Sequence, residues 1–178
     1  MKLLVGPLQD VPAICAAQRP SHLVSWLAPP ATAPEIALTF PPERRLLLIS
    51  HDVAMETEGL QAPAPDDVAR LLAFAADWDG VRPLLVHCWA GVSRSTAAAY
   101  VIACARSARS EAQIACALRQ ASPGATPNPL IVAHADALLG RDGRMIAAIA
   151  EIGRGAEVSL GAPFELQLGD GGGSPPRR

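Results

Sequence analysis

The sequence predicts an α/β fold with a central, mainly parallel sheet of four to five strands flanked by helices. Short apolar runs alternate along the chain with longer segments of helical periodicity, which is the pattern of strand–helix–strand units. Two of the runs, residues 45–50 and 83–87, are almost wholly apolar, as strands covered on both faces are. The length of 178 residues suits one domain. We assign residues 1–165 to this domain and expect 166–178, a segment rich in Gly, Ser and Pro, to be a disordered tail.

Proline positions separate the elements predicted for the first half of the chain. A helix should begin at Asp10, which suits a capping position and stands just before an early proline. It should end near Gln18, because Arg19 precedes a proline and is biased away from helical backbone angles. Strands are predicted over residues 1–4, 22–27 and 45–50, and a proline-rich connecting loop over residues 29–42.

The second half is predicted to be mainly helical. Over residues 66–78, apolar side chains recur at intervals of three and four, which indicates a helix with one buried face. The apolar strand 83–87 leads through a glycine-containing turn into a long helix over residues 94–107. Further helices are predicted over residues 111–120, 130–139 and 145–152.

Composition argues against several classes of function. The formal charge is −2 with both signs interspersed, and aromatic residues make up 4% of the chain, so a nucleic-acid binder is not expected. No apolar run approaches the roughly 20 residues that cross a bilayer, and the apolar residues 1–5 are too few for a signal peptide. We therefore expect a cytoplasmic protein. Its oligomeric state is left open.

The four cysteines predict neither a metal site nor a disulfide framework, and no cofactor is expected. They have no CxxC spacing and no neighbouring pair of histidines. Cys15, Cys104 and Cys116 lie in alanine-rich helical segments, where a small buried thiol is the simpler interpretation. Cys88 differs because it ends the predicted strand 83–87 and is followed by a glycine and an arginine at informative positions.

Cys88 and Arg94 frame a loop with the properties of an anion site. Gly91 can take the positive φ that lets such a loop fold back, and successive N–H groups at a helix N-terminus then form an anion-binding nest. The same field stabilises a thiolate and makes Cys88 a nucleophile. Arg94 offers a planar fork for two phosphate oxygens, and Ser95 can place a hydroxyl group near the sulfur. The residues between Cys88 and Arg94 are Trp89, Ala90, Gly91, Val92 and Ser93.

This segment resembles the signature of the protein tyrosine phosphatase superfamily, His-Cys-five residues-Arg-Ser/Thr, which begins here at His87. The similarity to small dual-specificity-like phosphatases extends over residues 46–139. In that group the general-acid aspartate follows a strand, as Asp52 does here, 36 positions before Cys88. The segment Pro127-Asn128-Pro129 resembles the group's asparagine-bearing loop beside the active site.

The resemblance implies a metal-free mechanism. Cys88 would attack phosphorus, Asp52 would protonate the leaving oxygen and later activate water, and His87 would make a buried hydrogen bond that orients the loop. The variable loop positions are uncharged, which disfavours an inositol ring with several phosphates. The expected substrate is a phosphomonoester on a protein, with phosphotyrosine preferred and phosphoserine or phosphothreonine as additional candidates. Arg44, Arg45 or the basic end of the tail could still contribute to substrate binding.

Several roles stay open at this point. Glu56, Glu58, Asp66 and Asp67 are rivals of Asp52, although the two later aspartates lie where a helix N-cap is expected. Trp89 can form a wall of the pocket or pack under the loop. His51 could modulate Asp52, but a solvent-facing histidine is the simpler interpretation, and His134 is interpreted as a surface or core histidine.

Other functions use a cysteine in an anion-binding loop. A sulfurtransferase usually has a shorter cysteine-to-arginine spacing, and an arsenate reductase of this kind usually carries the loop near the N-terminus. A non-catalytic phosphoprotein-binding module usually lacks the cysteine, the arginine or the acid, and all three are present here.

Overall fold

A computed structural model describes residues 1–169 and contains a five-stranded sheet with six α-helices. The strands are β1 (Lys2–Pro7), β2 (His22–Leu27), β3 (Arg45–Ile49), β4 (Leu84–Cys88) and β5 (Phe164–Gln167). The helices are α1 (Val11–Gln18), α2 (Pro65–Asp77), α3 (Arg94–Arg106), α4 (Glu111–Ala121), α5 (Pro129–Leu138) and α6 (Arg144–Glu151). Within the described residues, no helix is long and apolar enough to span a membrane.

The sheet has the order β3-β2-β4-β1-β5 and is mainly parallel, as predicted. β1 pairs with β4, β4 with β2, and β2 with β3, all in parallel, whereas β5 runs antiparallel to β1. The carboxyl ends of the four parallel strands therefore lie at one edge of the sheet. Ligands of open α/β sheets bind at this edge, and β3 and β4 deliver Asp52 and Cys88 to it.

Helices cover both faces of the sheet, and the direction of each crossover explains which face. The chain moves one way across the sheet from β1 to β2 and the opposite way from β3 to β4. Because parallel crossovers are right-handed, α1 and α2 lie on opposite faces. Alternate strand residues show the division: Leu4 packs with Val11 of α1, whereas Leu3 and Val5 belong to the cluster that includes Val68 of α2.

The helix cluster on the α2 face forms the larger core. α3 is the most deeply buried helix, with Tyr100 fully buried, and Trp26 and Trp78 are also at most 1% exposed. The buried face of α3 is rich in alanine, which lets the helix lie close to the strands. α3 begins directly after the loop that follows β4, so this packing fixes the end of the helix where Arg94 lies.

The predicted set of elements was incomplete in two places. Residues 29–42 are not wholly irregular, because 3₁₀ helices form at Glu35–Thr39 and Pro42–Arg44. β5 was not predicted, and Leu166 and Gln167 therefore belong to the sheet instead of the predicted tail. Leu166 is 3% exposed and packs into the main core, so burial outweighs the weak local signal of this four-residue strand. The predicted disorder of residues 170–178 concerns positions outside the described residues, and the boundary of the domain stays a prediction.

Candidate active site

The Cys88 thiol lies at the carboxyl end of β4, at the centre of the edge where the parallel strands end. The residue is 2% exposed. The Ser95 Oγ lies 3.1 Å from the sulfur, and the Gly91 N–H donates to it at 3.2 Å. Both polar contacts stabilise a thiolate better than an apolar strand end would, because each can donate a hydrogen bond to negative sulfur.

The loop between β4 and α3, residues 89–93, holds its carbonyl groups on the outside. The carbonyl oxygens of Trp89 and Ala90 accept from the N–H groups of Leu8 and Gly161 at 3.1 and 2.8 Å, respectively. The Val92 carbonyl accepts from the Thr126 N–H at 2.9 Å and from the Thr96 hydroxyl at 2.6 Å. In a trans peptide the next N–H points the opposite way, so the N–H groups after these three carbonyls point away from the surrounding elements. Such a loop at a helix N-terminus is suited to binding an anion.

Gly91 is required in this loop for two reasons. Its φ is +72°, a conformation that side chains rarely allow. In addition, a Cβ atom there would lie 2.7 Å from the Pro7 nitrogen and 2.8 Å from the Gly6 carbonyl carbon, and backbone atoms cannot move aside. The loop thus packs directly on the end of β1. A side chain at this position would push the thiol and the N–H groups apart.

Arg94 is buried, with 5% of its surface exposed, and is aimed by a backbone carbonyl. Its guanidinium donates to the Ser50 carbonyl at 2.7 Å, and the Ser50 hydroxyl in turn accepts from the Trp26 indole N–H at 2.8 Å. The Arg94 Nε is buried and, within the described residues, has no hydrogen-bond partner. A cation in the first turn of a helix opposes the helix dipole. A bound anion would satisfy both the free N–H and the unfavourable charge.

Asp52 lies beside this guanidinium and is held by two donors. Its Oδ1 accepts from the Ser93 hydroxyl at 2.7 Å and from the Asn128 amide at 2.8 Å. Its Oδ2 lies 3.8 Å from the Arg94 Nε. Asn128 is 2% exposed, and its Oδ1 caps α5 by accepting from the N–H groups of Leu130 and Ile131. The start of α5 therefore fixes the position of the carboxyl group after β3.

The four rivals of Asp52 lie elsewhere. Glu56 and Glu58 line a separate cavity of about 580 Å³, together with His134. Asp66 and Asp67 lie in the first turn of α2, whose N-cap is Ala64, so the capping position predicted for these two aspartates was wrong. Asp67 nevertheless stabilises the helix start by accepting from the Ala64 N–H at 3.1 Å.

Comparisons with known proteins are consistent with this geometry at the level of the fold. No family model matches the chain, and no curated protein matches it. Among solved structures, PTPMT1 superposes with a TM-score of 0.54 at 14% sequence identity, over 79% of this chain and 94% of that one. The chain shares the α/β fold of PTPMT1, with a mainly parallel sheet flanked by helices. The PTP-2 phosphatase of Cydia pomonella is 27% identical, with a TM-score of 0.44 over 56% of this chain. This chain spans 63% of the length of that phosphatase.

His87, directly before Cys88, makes the buried hydrogen bond that was predicted for it. The residue is fully buried, and its Nε2 lies 2.7 Å from the Ser25 Oγ on the neighbouring strand β2. Its Nδ1 faces the Cys88 carbonyl at 3.4 Å. Burial lowers the pKa of His87 from 6.5 to about 4, so the ring is neutral at neutral pH. We therefore assign the Nδ1–H tautomer, in which Nε2 accepts from the serine hydroxyl.

This histidine should make stability depend on pH. The unfolded chain binds a proton at His87 near pH 6.5 and the folded chain only near pH 4. The free energy of unfolding should therefore fall as pH is lowered from 6.5 towards 4, by about 3 kcal/mol in total from this group. Urea denaturation between pH 7 and pH 4.5 measures the effect. His87→Gln should flatten this part of the pH dependence, whereas parallel curves for the two proteins would contradict the assignment.

The structure also shows the surroundings of several other residues that the sequence analysis discussed. Trp89 is 69% exposed, so it does not pack under the loop. Cys116 is exposed instead of buried, whereas Cys104 is buried and burial raises the pKa of its thiol to about 12. His51 is partly exposed, and its ring accepts from the Gln61 N–H at 3.0 Å. The His134 ring lies 3.2 Å from the Pro63 carbonyl oxygen, which fits a structural role.

Sequence reasoning missed the supporting contacts of three serines. Ser25 lies inside the buried strand β2, and Ser50 directly follows β3. A polar residue in or next to an otherwise apolar run was the available signal. Ser93 was treated as a variable loop position, but its hydroxyl donates to Asp52. Each of the three makes its contact with a residue more than 40 positions away in the chain, so local pattern alone could not identify the partner.

Proposed function

We propose that the chain is a cysteine-dependent phosphomonoester hydrolase that acts on phosphotyrosine in proteins, with phosphoserine and phosphothreonine as secondary substrates. The observation that carries the proposal is the contact between a buried thiol and a loop whose N–H groups point inward, next to a buried guanidinium with an unbonded Nε. These parts meet the main needs of phosphoryl transfer, which are positioning and stabilisation of charge on the transferring oxygens. The shared fold supports a phosphatase at a coarser level.

In the first step, the phosphoryl oxygens bind the loop N–H groups and the Arg94 guanidinium. Cys88 Sγ then attacks phosphorus, forming an S–P bond while the bond from phosphorus to the ester oxygen breaks. Asp52 donates its proton to the departing oxygen. The product alcohol or phenol leaves neutral.

In the second step, water attacks the phosphorus of the cysteinyl phosphate and gives its proton to Asp52. The S–P bond breaks, inorganic phosphate leaves, and the thiolate is restored. The Ser95 hydroxyl and the Gly91 N–H, at 3.1 and 3.2 Å from the sulfur, stabilise the thiolate as it departs. Both steps use groups of this chain only, and we expect neither to require a metal ion.

The proposal is tested by hydrolysis of p-nitrophenyl phosphate in the presence of EDTA, followed by acid quenching during turnover. We expect steady hydrolysis and a peptide carrying phosphate on Cys88, detected by mass spectrometry. Absence of hydrolysis of any phosphomonoester, with binding of phosphopeptides retained, would instead identify a non-catalytic binding module. Phosphate found on another residue would contradict the assigned nucleophile.

Replacing Asp52 with asparagine is expected to lower kcat by about 10²–10⁴-fold, the usual range for a general acid. Asparagine keeps an oxygen for the Ser93 hydroxyl and the Asn128 amide, so the loop should keep its shape. The loss should be greater for phenyl phosphate than for p-nitrophenyl phosphate, since a poorer leaving group depends more on protonation. Steady-state kinetics with the two esters measures the difference.

The matched controls are Glu56→Gln and Glu58→Gln, which neutralise carboxylates in the separate cavity. Both variants should retain the kinetics of the wild-type protein. An equal loss for both esters in Asp52→Asn would show that Asp52 only positions the loop. A large loss in either glutamate variant would move the acid role to that residue.

We place the protein in the cytoplasm. None of the four cysteines forms a disulfide bond, and Cys116 is exposed to solvent. Exposed thiols that stay free are typical of compartments that keep cysteines reduced. A reducing compartment also keeps a thiolate nucleophile such as Cys88 in its active form.

A further inference from the structure

An apolar cleft of about 740 Å³ adjoins the candidate active site. We call it the leaving-group cleft. It is lined by Leu8, residues 27–28 and 30–35, Trp89 and Arg94. Arg94 connects the cleft to the phosphate position. Its volume lies in the upper part of the range of about 300–1,000 Å³ for ligand sites, so the cleft has room for more than the phosphoryl group.

The lining of the cleft is apolar except at one threonine and two charged residues. Between Leu27 and Pro34 the lining consists of alanine, proline and leucine with the single polar residue Thr32. The ionisable residues that line it are Arg94, which serves the phosphate, and Glu35. A ligand that fills the cleft therefore needs an apolar surface. Acidic groups on it would be repelled by Glu35 and would lose their hydration without gaining a cationic partner.

Trp89 is the exposed aromatic residue of the cleft. The other two tryptophans, Trp26 and Trp78, are at most 1% exposed, whereas Trp89 is 69% exposed. Its backbone is fixed, because its carbonyl accepts from the Leu8 N–H at 3.1 Å. A large aromatic side chain on a rigid backbone, open to solvent beside a polar site, has the properties of a binding anchor.

We propose that the leaving-group cleft selects phosphotyrosine segments with apolar residues next to the phosphotyrosine, and that Trp89 is the residue that determines this specificity. This inference rests on the proposed function. The indole packs against the tyrosyl ring or an adjacent apolar side chain, and Glu35 disfavours acidic neighbours. A phosphorylated lipid fits less well, because membrane surfaces are anionic and recruit basic residues, whereas the charge that the cleft adds beyond Arg94 is negative.

Binding can be measured without turnover in the Cys88→Ser variant. Two phosphotyrosine pentapeptides of equal length are compared, one with leucine and alanine around the phosphotyrosine and one with aspartate and glutamate. We expect the apolar peptide to bind about tenfold more tightly, the ratio that about 1.4 kcal/mol gives. It should also protect Trp89, the exposed indole, from quenching by acrylamide.

Trp89→Ala should remove the preference for the apolar peptide, and Glu35→Gln should strengthen binding of the acidic one. The control is Val81→Ala, which trims an exposed apolar side chain outside the cleft and should change neither affinity. Equal affinities for the two peptides in the Cys88→Ser protein would overturn the inference while leaving hydrolysis by the wild type intact. Tighter binding of decyl phosphate than of the apolar peptide would overturn it in favour of an alkyl phosphate. A preserved peptide preference without any wild-type hydrolysis would support the cleft and refute the catalytic function.

Discussion

Replacing Cys88 with serine is expected to abolish turnover, with kcat reduced by about 10⁶-fold, the loss seen when a catalytic nucleophile is removed. A serine hydroxyl has nearly the size of the thiol and keeps access to the Ser95 hydroxyl and the Gly91 N–H. It stays protonated at neutral pH, whereas the thiolate is a strong nucleophile and a good leaving group. Initial rates with p-nitrophenyl phosphate in EDTA measure the loss.

The control for this substitution is Cys116→Ser on the exposed side of α4, which should retain wild-type activity. Phosphopeptide binding by Cys88→Ser should remain, because the Arg94 fork and the loop N–H groups are unchanged. A Cys88→Ser protein with activity comparable to that of the wild type would refute the thiolate mechanism. Loss of both activity and binding would show that the thiol supports the loop itself.

Elements with strong local signals could be predicted from the sequence to within about two residues. α1 ends at Gln18 because Arg19 takes a left-handed conformation, with φ at 48°, before Pro20. β2 spans the predicted residues 22–27, and α3 begins at the predicted Arg94. In these places a capping residue, a proline or a glycine changes the backbone preference at a single position, and the periodicity of the neighbouring apolar residues agrees with it.

Elements that depend on distant contacts could not be predicted in the same way. β5 has only four residues, and its pairing with β1 joins positions more than 150 residues apart in the chain, such as Leu3 and Leu166. The 3₁₀ helix at Glu35–Thr39 likewise follows from packing, since Ala37 belongs to the smaller core beside α1. Local propensity was weak in both segments, and burial decided the structure.

The candidate site likewise combines residues that a local motif predicts with residues that only distant contacts bring to it. Cys88, Gly91, Arg94 and Ser95 lie within eight consecutive residues, so one segment carries the central geometry of the thiol, the loop and the guanidinium. The groups that hold this segment come from elsewhere. Gly161 is an example: its N–H binds the Ala90 carbonyl, and a Cβ atom there would lie 2.8 Å from the Gly91 oxygen, yet no sequence pattern marked it.

Replacing Arg94 with lysine is expected to lower kcat/KM by about 10³–10⁵-fold, the range for an arginine that stabilises a phosphoryl transition state. The guanidinium uses one nitrogen on the Ser50 carbonyl and still presents further N–H groups, including the unbonded Nε. A lysine ammonium has the same charge but one nitrogen, so it cannot bind Ser50 and two phosphoryl oxygens with the geometry of a planar fork. Kinetics with p-nitrophenyl phosphate, compared with urea denaturation, separates this effect from a loss of stability.

The matched control is Arg70→Lys, the same exchange at an exposed arginine on α2, which should alter neither kinetics nor stability appreciably. If Arg94→Lys folds normally and loses activity by the expected factor, the shape of the guanidinium and not its charge alone determines phosphoryl transfer. Near-normal turnover would mean that a point charge suffices. The loop N–H groups would then carry most of the transition-state stabilisation, and Arg94 would have to be reassigned as the residue that balances Asp52, 3.8 Å away.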